Sequence, residues 1–308
     1  MAPLAPMLAA ALAVNEAFLH VSGDLRSAGR RLVGLDLGTL APGSAWLSPD
    51  PGEPAASYLP SRLWLIGLGH LGQAFLWALG LLPYADPGDV RLVLQDDDVI
   101  TPSTESTSIL SDATAVGLRK TRAMAAWAER RGFRTTITER LFDANMKRLP
   151  DEPAIALCGL DNAAGRSALD QTGFDFVVEA GLGRGHHDFR RLLVHTLPGE
   201  VPAAALWPDH AGAATVADAA AYRRMLDEGS IDRCGVTLLA GKAVGAPFVG
   251  AVAATLVMSE VLRLLQGAKL HRLIDMNLVD LAHFKAVEQL RDFSALNPGF
   301  VKLGEPSS

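Results

Sequence analysis

The chain has 308 residues, 49% of them apolar and 20% charged, a globular composition with ample material for a core. Its formal charge of −6 and pI near 5.7 argue against broad electrostatic binding to nucleic acid. Two cysteines, Cys158 and Cys234, cannot build a four-cysteine zinc site, and so few thiols point to a reducing, cytoplasmic setting.

The opening "MAPLAPMLAAALAV" is apolar, but no basic residue precedes it, and Asn15 and Glu16 close it. It reads as an amphipathic or buried helix rather than an export signal, with residues 5–35 mostly helical. "GTLAPGSAWLSPDPGEPAAS" is rich in Pro, Gly and Ser and reads as an irregular connection, so 1–57 is expected as a helical segment and linker. A main domain over 58–268 then opens with an apolar strand, Arg62 to Ile66, and a helix from Gln73 to Leu82. "DVRLVLQDDD" reads as a second strand, and "AVGLRKTRAMAAWAERRG" as a helix stopped by Gly132. "FRTTITERLF", "PAIALCGLDN" and "FDFVVEAGLG" supply the third to fifth strands. Residues 207–235 read as a mobile, crossover-like excursion. "AVGAPFVGAVAATLVM" has 16 residues, fewer than the ~20 that span a bilayer, so no membrane partner is expected. Its Ala and Gly content suits a buried helix from about Pro247 to Gln266, and residues 269–308 follow as a C-terminal extension. Short apolar strands alternating with helices predict an α/β fold: a Rossmann-like, doubly wound, largely parallel sheet with flanking helices and an N-terminal helical segment.

Ligands in such folds sit beyond the carboxyl ends of the strands. Three turns follow strand ends here. Gly67-Leu68-Gly69-His70-Leu71-Gly72 has the G-x-G-x-x-G spacing between a strand and a helix, where amide N–H groups face an anion. That motif does not separate dinucleotides from ATP. Asp96 lies 24 residues after Gly72, near the ~20 expected of a ribose-binding carboxylate. It comes with Asp97 and Asp98; on a continuing strand Asp97 would point away, leaving Asp96 and Asp98 on one face. Lys120 opens the next helix and can reach a phosphate as a point charge. In "CGLDNAAGR", Asp161 and Asn162 follow a buried strand. Mg²⁺ takes one or two carboxylates plus phosphate oxygens, so Asp161 is a candidate metal ligand; otherwise it caps the following helix. Arg166 would brace Asp161 or touch a phosphate. His70 is expected at solvent or the ligand edge. The adjacent His186 and His187 point different ways on a strand and do not suggest a metal pair.

"GLGHLG", "LQDDDVITPSTESTSIL…GLRKT", "CGLDNAAGR" and "CGVTLLAGKAVGAPFVGAVAATLVMSEVLRLLQG", in this order, resemble the ThiF/MoeB/HesA superfamily of ubiquitin-like-protein activating enzymes over about Arg62 to Gln266. The overall pattern looks most like the activating enzymes of bacterial ubiquitination-like antiphage operons. The resemblance implies ATP and Mg²⁺ as cofactors and adenylation of the exposed C-terminal glycine of a ubiquitin-like partner. It places Gly67, Gly69 and Gly72 by the nucleotide, Asp96 or Asp98 on ribose, Lys120 on the α-phosphate and Asp161 on magnesium. Asn162 and Arg166 join the nucleotide set. Transfer to a cysteine and then to a conjugating enzyme would follow. Cys234, beside Arg233 and near Lys242, suits that role because positive neighbours favour thiolate; Cys158 lies in a buried strand. The small-residue helix suggests a homodimer.

Two departures stand out. Thr104, Thr107 and Ser108 occupy the places where the family has Asn, Arg and Gln, so the phosphate-neutralising arginine is missing from the loop. Arg119, Arg122, Arg166 or an arginine of a second protomer could substitute. The family's paired Cys-x-x-Cys zinc knuckles are also absent. The rival readings are a nucleotide-binding pseudo-enzyme scaffold and an NAD-dependent oxidoreductase.

Overall fold

The computed structural model describes residues 4–41, 43, 45–47, 57–183, 188–207, 245–296 and 298–303. Helix α1, Ala5–Ser22, carries proline in its first turn and stops at Gly23, whose φ of 73° gives the left-handed C-cap. Turns follow, so helix does not continue to residue 35. The polar mid-helix residues Asn15 and Glu16 face inward, while Val14, Phe18 and Val21 are exposed. Asn15 Nδ2 donates to the Leu278 carbonyl at 2.9 Å, and Glu16 accepts from Arg31 and from the Gly29 N–H. Long-range partners thus satisfy these buried polar groups, apart from Asn15 Oδ1, which is buried without one.

Then come β1 (Tyr58–Pro60), β2 (Arg62–Ile66), α2 (His70–Gly80), β3 (Arg91–Gln95), α3 (Pro102–Thr107), α4 (Lys120–Glu129), β4 (Arg134–Thr138) and β5 (Ile155–Cys158). They are followed by α5 (Ala163–Ser167), β6 (Phe176–Leu182), β7 (Arg191–Leu197), α6 (Ala203–Leu206), α7 (Pro247–Gln266), β8 (His271–Asn277), β9 (Asp280–Glu288) and β10 (Phe300–Lys302). The main sheet has the order β4-β3-β2-β5-β6-β7-β8-β9, and β1 pairs with β10. β4, β3, β2, β5 and β6 run parallel, as expected; β7, β8 and β9 extend the sheet antiparallel. The segment read as a C-terminal extension therefore supplies two strands of the main sheet. Its Leu270, Ile274 and Met276 share a core with α7.

Every residue of β5 and all but Arg62 of β2 are buried, the signature of strands covered on both faces. One face carries α1, α2 and α7. The other carries α5 and α6 over Trp64, Cys158 and Leu197. α1 and α7 are both long and apolar enough to cross a membrane, but α7 is a core helix, 83% buried. It packs against α1 and α2, so its small residues serve close packing within one protomer and present no dimer face. Near its end Arg263 donates to the Leu37 and Gly38 carbonyls and pairs with Glu260, which also accepts the His271 N–H. That buried cluster pins the N-terminal segment to the sheet.

The chain leaves β2 for β3 and β4 on one side, then returns to β5 and β6 on the other. The crevice outside the carboxyl ends of β2 and β5 is the topological switch point, where such folds bind ligands.

Candidate functional site

A cleft of about 520 Å³ opens at that switch point and is lined by the glycine turn, the triple acid, α3, Lys120, Asp161, Asn162 and Arg166. Turns about ninety residues apart in sequence do converge. Its size suits a small-molecule ligand.

Each glycine of the turn has a separate task. Gly67 has φ +79° and donates its N–H to the Gln95 carbonyl, tying the turn to β3. A Cβ on Gly72 would lie 1.9 Å from the Gly67 carbonyl oxygen, so only glycine lets α2 start this close to the turn. A Cβ on Gly69 would meet nothing within 4 Å: this backbone faces the open cleft.

β3 ends at Gln95, so the three acids lie on a loop and not on a continuing strand. Asp96 is largely buried; its Oδ2 accepts the Leu68 N–H at 2.6 Å and its Oδ1 the Asp98 N–H at 2.8 Å. It braces the glycine turn. Asp98 is exposed and holds Lys120 Nζ at 2.9 Å, with Asp96 Oδ1 3.5 Å from the same ammonium. Lys120 therefore stands at the cleft with one of its three N–H donors uncommitted to acids. All three aspartates line the cleft, Asp97 included, which a continuing strand would have turned away, and Asp96 and Asp98 share Lys120.

Asn162, not Asp161, caps α5: its Oδ1 accepts the Gly165 N–H at 2.6 Å. Asp161 is left exposed at the cleft with no hydrogen-bond or ion-pair partner among the described residues. Arg166 does not brace the Asp161 carboxylate. Its Nε donates to the Leu160 carbonyl at 2.7 Å and lies 3.0 Å from Glu179, a fully buried carboxylate. Its guanidinium is thus engaged in the cleft wall.

His70 lines the cleft, as the ligand-edge reading had it, but its ring is not open to solvent. Its ring is packed inward, with Nδ1 donating to the Thr107 carbonyl at 2.6 Å and Nε2 buried without a partner. A Cβ on Gly250 would come 2.7 Å from this ring, so α7 accommodates it through a glycine. Burial pushes the imidazole below its ordinary range, leaving it neutral. The hydroxyl run is largely self-satisfied: Thr101 and Thr104 form a reciprocal capping box, and Thr107 donates to Ser103 O. These side chains build α3, whose residues line the cleft, more than they offer donors to a ligand.

Of the arginines of this chain that the sequence offered as substitute cations, Arg166 alone lines the cleft. Arg119 donates to the Asp97 carbonyl and Arg122 pairs with Glu139 at 2.8 Å, and neither lines the cleft. Arg140 does, with Leu141 and Phe142 beside it and a single 3.4 Å ion pair to Asp143. It follows β4 directly, at the same end of the sheet as the other site turns. Reading the strand through residue 142 had hidden it.

Cys158 is fully buried, and burial with the Glu179 carboxylate pushes its thiol up to about 12. Cys234, Lys242, His186, His187 and most of the 207–235 excursion lie outside the described residues.

The BilD C-terminal domain profile matches residues 59–268, and the BilD N-terminal domain profile matches residues 1–37. The chain belongs to the BilD family. The bacterial E1-like protein BilD of Collimonas sp. (strain OK412) is 51% identical over 268 residues, 86% of this chain and 58% of that protein. The chain thus spans less than two thirds of this relative. Among solved structures, E. coli MccB with succinimide has a TM-score of 0.51 at 12% identity, covering 76% of this chain and 65% of that one. E. coli MccB with ATP has a TM-score of 0.50 at 14% identity, covering 75% and 65%. These likenesses concern the fold. Family and fold agree with the resemblance read from the four motifs.

Proposed function

We propose that the chain adenylates the C-terminal carboxylate of a ubiquitin-like protein, with ATP as co-substrate. The observation that carries this reading is the meeting of Lys120 and Asp161 at one cleft with the glycine turn. An NAD-dependent oxidoreductase would need the turn and a ribose-binding acid, but neither of these two groups. E. coli MccB, of the same fold, binds ATP in its solved structure, which supports the nucleotide assignment.

In this reading the triphosphate lies along the open backbone at Gly69, the ribose against Asp98 and Asp96, and Lys120 turns its remaining donor to the α-phosphate. The partner's carboxylate oxygen attacks the α-phosphorus, the bond to the bridging oxygen breaks, and pyrophosphate leaves. The attacking group is already deprotonated at neutral pH, so positioning and charge stabilisation carry the step. Asp161 would hold Mg²⁺: a cleft-lining carboxylate without a protein partner matches the one or two carboxylates this ion takes beside phosphate oxygens. When bound, the ion would offset phosphate charge. Arg140 is the candidate for the cation missing from the hydroxyl loop.

Acyl transfer to Cys234, with AMP leaving, and onward passage to a conjugating enzyme complete the proposal. Cys158 is too buried for the role. We place the reaction in the cytoplasm, as one step of an antiphage modification system. A homodimer would use a surface other than α7, and the exposed Val14, Phe18 and Val21 of α1 offer one.

The test is partner-dependent exchange of labelled pyrophosphate into ATP. Exchange only in the presence of the ubiquitin-like protein is expected. Nucleotide binding without exchange would favour the scaffold reading, which the engaged Arg166 and self-capped hydroxyls motivate.

A further inference from the structure

A buried carboxylate needs a reason, because an unpaired charge removed from water is strongly unfavourable. Glu179 is such a group. It sits on β6 with no exposed surface, opposite Cys158 on β5 and opposite His195 on β7. Oε2 lies 3.1 Å from His195 Nδ1, and Oε1 lies 3.0 Å from Arg166 Nε. The Arg166 Nε–H itself is directed at the Leu160 carbonyl, so Glu179 holds the guanidinium by charge while the guanidinium holds that carbonyl. The Leu160 carbonyl and the Asp161 amide belong to one planar peptide unit. Fixing the first therefore fixes the backbone from which the Asp161 carboxylate projects. Room for the guanidinium comes from Gly181, where a Cβ would approach it to 2.8 Å. Trp207 covers the group, edge-on to the His195 ring at 5.1 Å and 5.9 Å from the Arg166 guanidinium. Burial of Glu179 strengthens the ion pairs around it.

We propose that Glu179 and His195 are positioning residues that act through Arg166 on the Leu160–Asp161 turn, setting the direction of the Asp161 carboxylate at the cleft. This rests on the reading of Asp161 given above. The pair touches no ligand itself: Glu179 and His195 stand behind the cleft wall, and only Arg166 reaches it.

The experiment is calorimetric titration of the full chain with a non-hydrolysable ATP analogue, with and without Mg²⁺. The variants are Glu179→Gln, Asp161→Asn and both together, each checked for folding by thermal melt. Glu179→Gln is expected to leave metal-free affinity within about twofold and to cut the gain from Mg²⁺ about tenfold, as loss of a group supporting a metal ligand does. Asp161→Asn should cut the same gain, and the double variant should lose no more than Asp161→Asn alone, because the two act in series. His195→Gln, which keeps an N–H donor, should stay near wild type, whereas His195→Leu should lose several-fold; this pair carries the test if Glu179→Gln does not fold. Equal losses with and without metal, additive losses in the double variant, or tighter metal-free binding from a released Arg166 would each overturn the proposal. An effect of Asp161→Asn with Glu179→Gln silent overturns this inference alone. A silent Asp161→Asn overturns the reading of Asp161, and this inference with it.

Discussion

Replacing Cys158 by alanine should leave acyl transfer intact, whereas replacing Cys234 should abolish it. Cys158 closes β5 with no exposed surface, and its thiol is pushed up to about 12. At pH 7 such a thiol is ionised in about one molecule in 10⁵, against a few per cent for an ordinary cysteine. The deficit is roughly three orders of magnitude before access is considered. Removing the buried sulfur costs about 1 kcal/mol of packing, a shift of a few degrees in Tm. Two assays check this. Mixing the full chain, ATP, Mg²⁺ and the partner should give a reductant-sensitive adduct on gels for wild type and C158A, and none for C234A. Alkylation of the folded protein should label Cys234 and spare Cys158 until the chain is denatured. An adduct lost in C158A but kept in C234A, or native labelling of Cys158 at the rate of Cys234, would refute the reasoning.

Three further outcomes are expected. Burial lowers the His70 imidazole, so the unfolded chain takes up the proton first as pH falls; its contribution is complete above about pH 6.5 and shrinks below it. Tm should therefore drop between about pH 7.5 and 5, and H70Q should flatten that drop; an unchanged slope in H70Q would contradict the assignment. G69A should fold with Tm within about 2 °C of wild type yet bind ATP at least about tenfold more weakly, because its Cβ meets open cleft, while G72A should lose about 3 kcal/mol or more against the Gly67 carbonyl. The two separate in parallel melts and titrations. R140A should raise the KM for ATP about three- to tenfold with kcat within about twofold, read by pyrophosphate exchange; an unaffected KM would remove Arg140 from the site.

What could be read from sequence divides along physical lines. β2 and β5 are buried on both faces and read as continuous apolar runs. The turns after them carry glycine or acid in ways that local chemistry explains, so the cleft's inventory was visible before its geometry. β8 and β9 were not, because strands with polar faces and irregular register give only a broken alternation. α1 shows the opposite difficulty. Its polar residues look solvent-facing until Arg31 and the Leu278 carbonyl are brought to them. Arg166 faces Glu179 because β6 sets beside β5, and no local spacing announces that pairing. What the sequence did not show were partners that come from register or from a distant loop, such as the Thr107 carbonyl at His70 and Glu179 at Arg166, although both side chains line the cleft as read. Residues whose role follows from the turn they sit in, such as Gly67, Gly69 and Lys120, line the cleft as read.

The central claim is that one cleft takes a triphosphate, with Lys120 and Asp161 acting at its reactive end. A crystal structure of the full chain with an ATP analogue and Mg²⁺ tests it most directly. The account predicts the α-phosphate within hydrogen-bonding reach of Lys120 Nζ and the ion on the Asp161 carboxylate. A nucleotide seated away from both, or density only for an adenosine moiety with its phosphates turned to solvent, would contradict it.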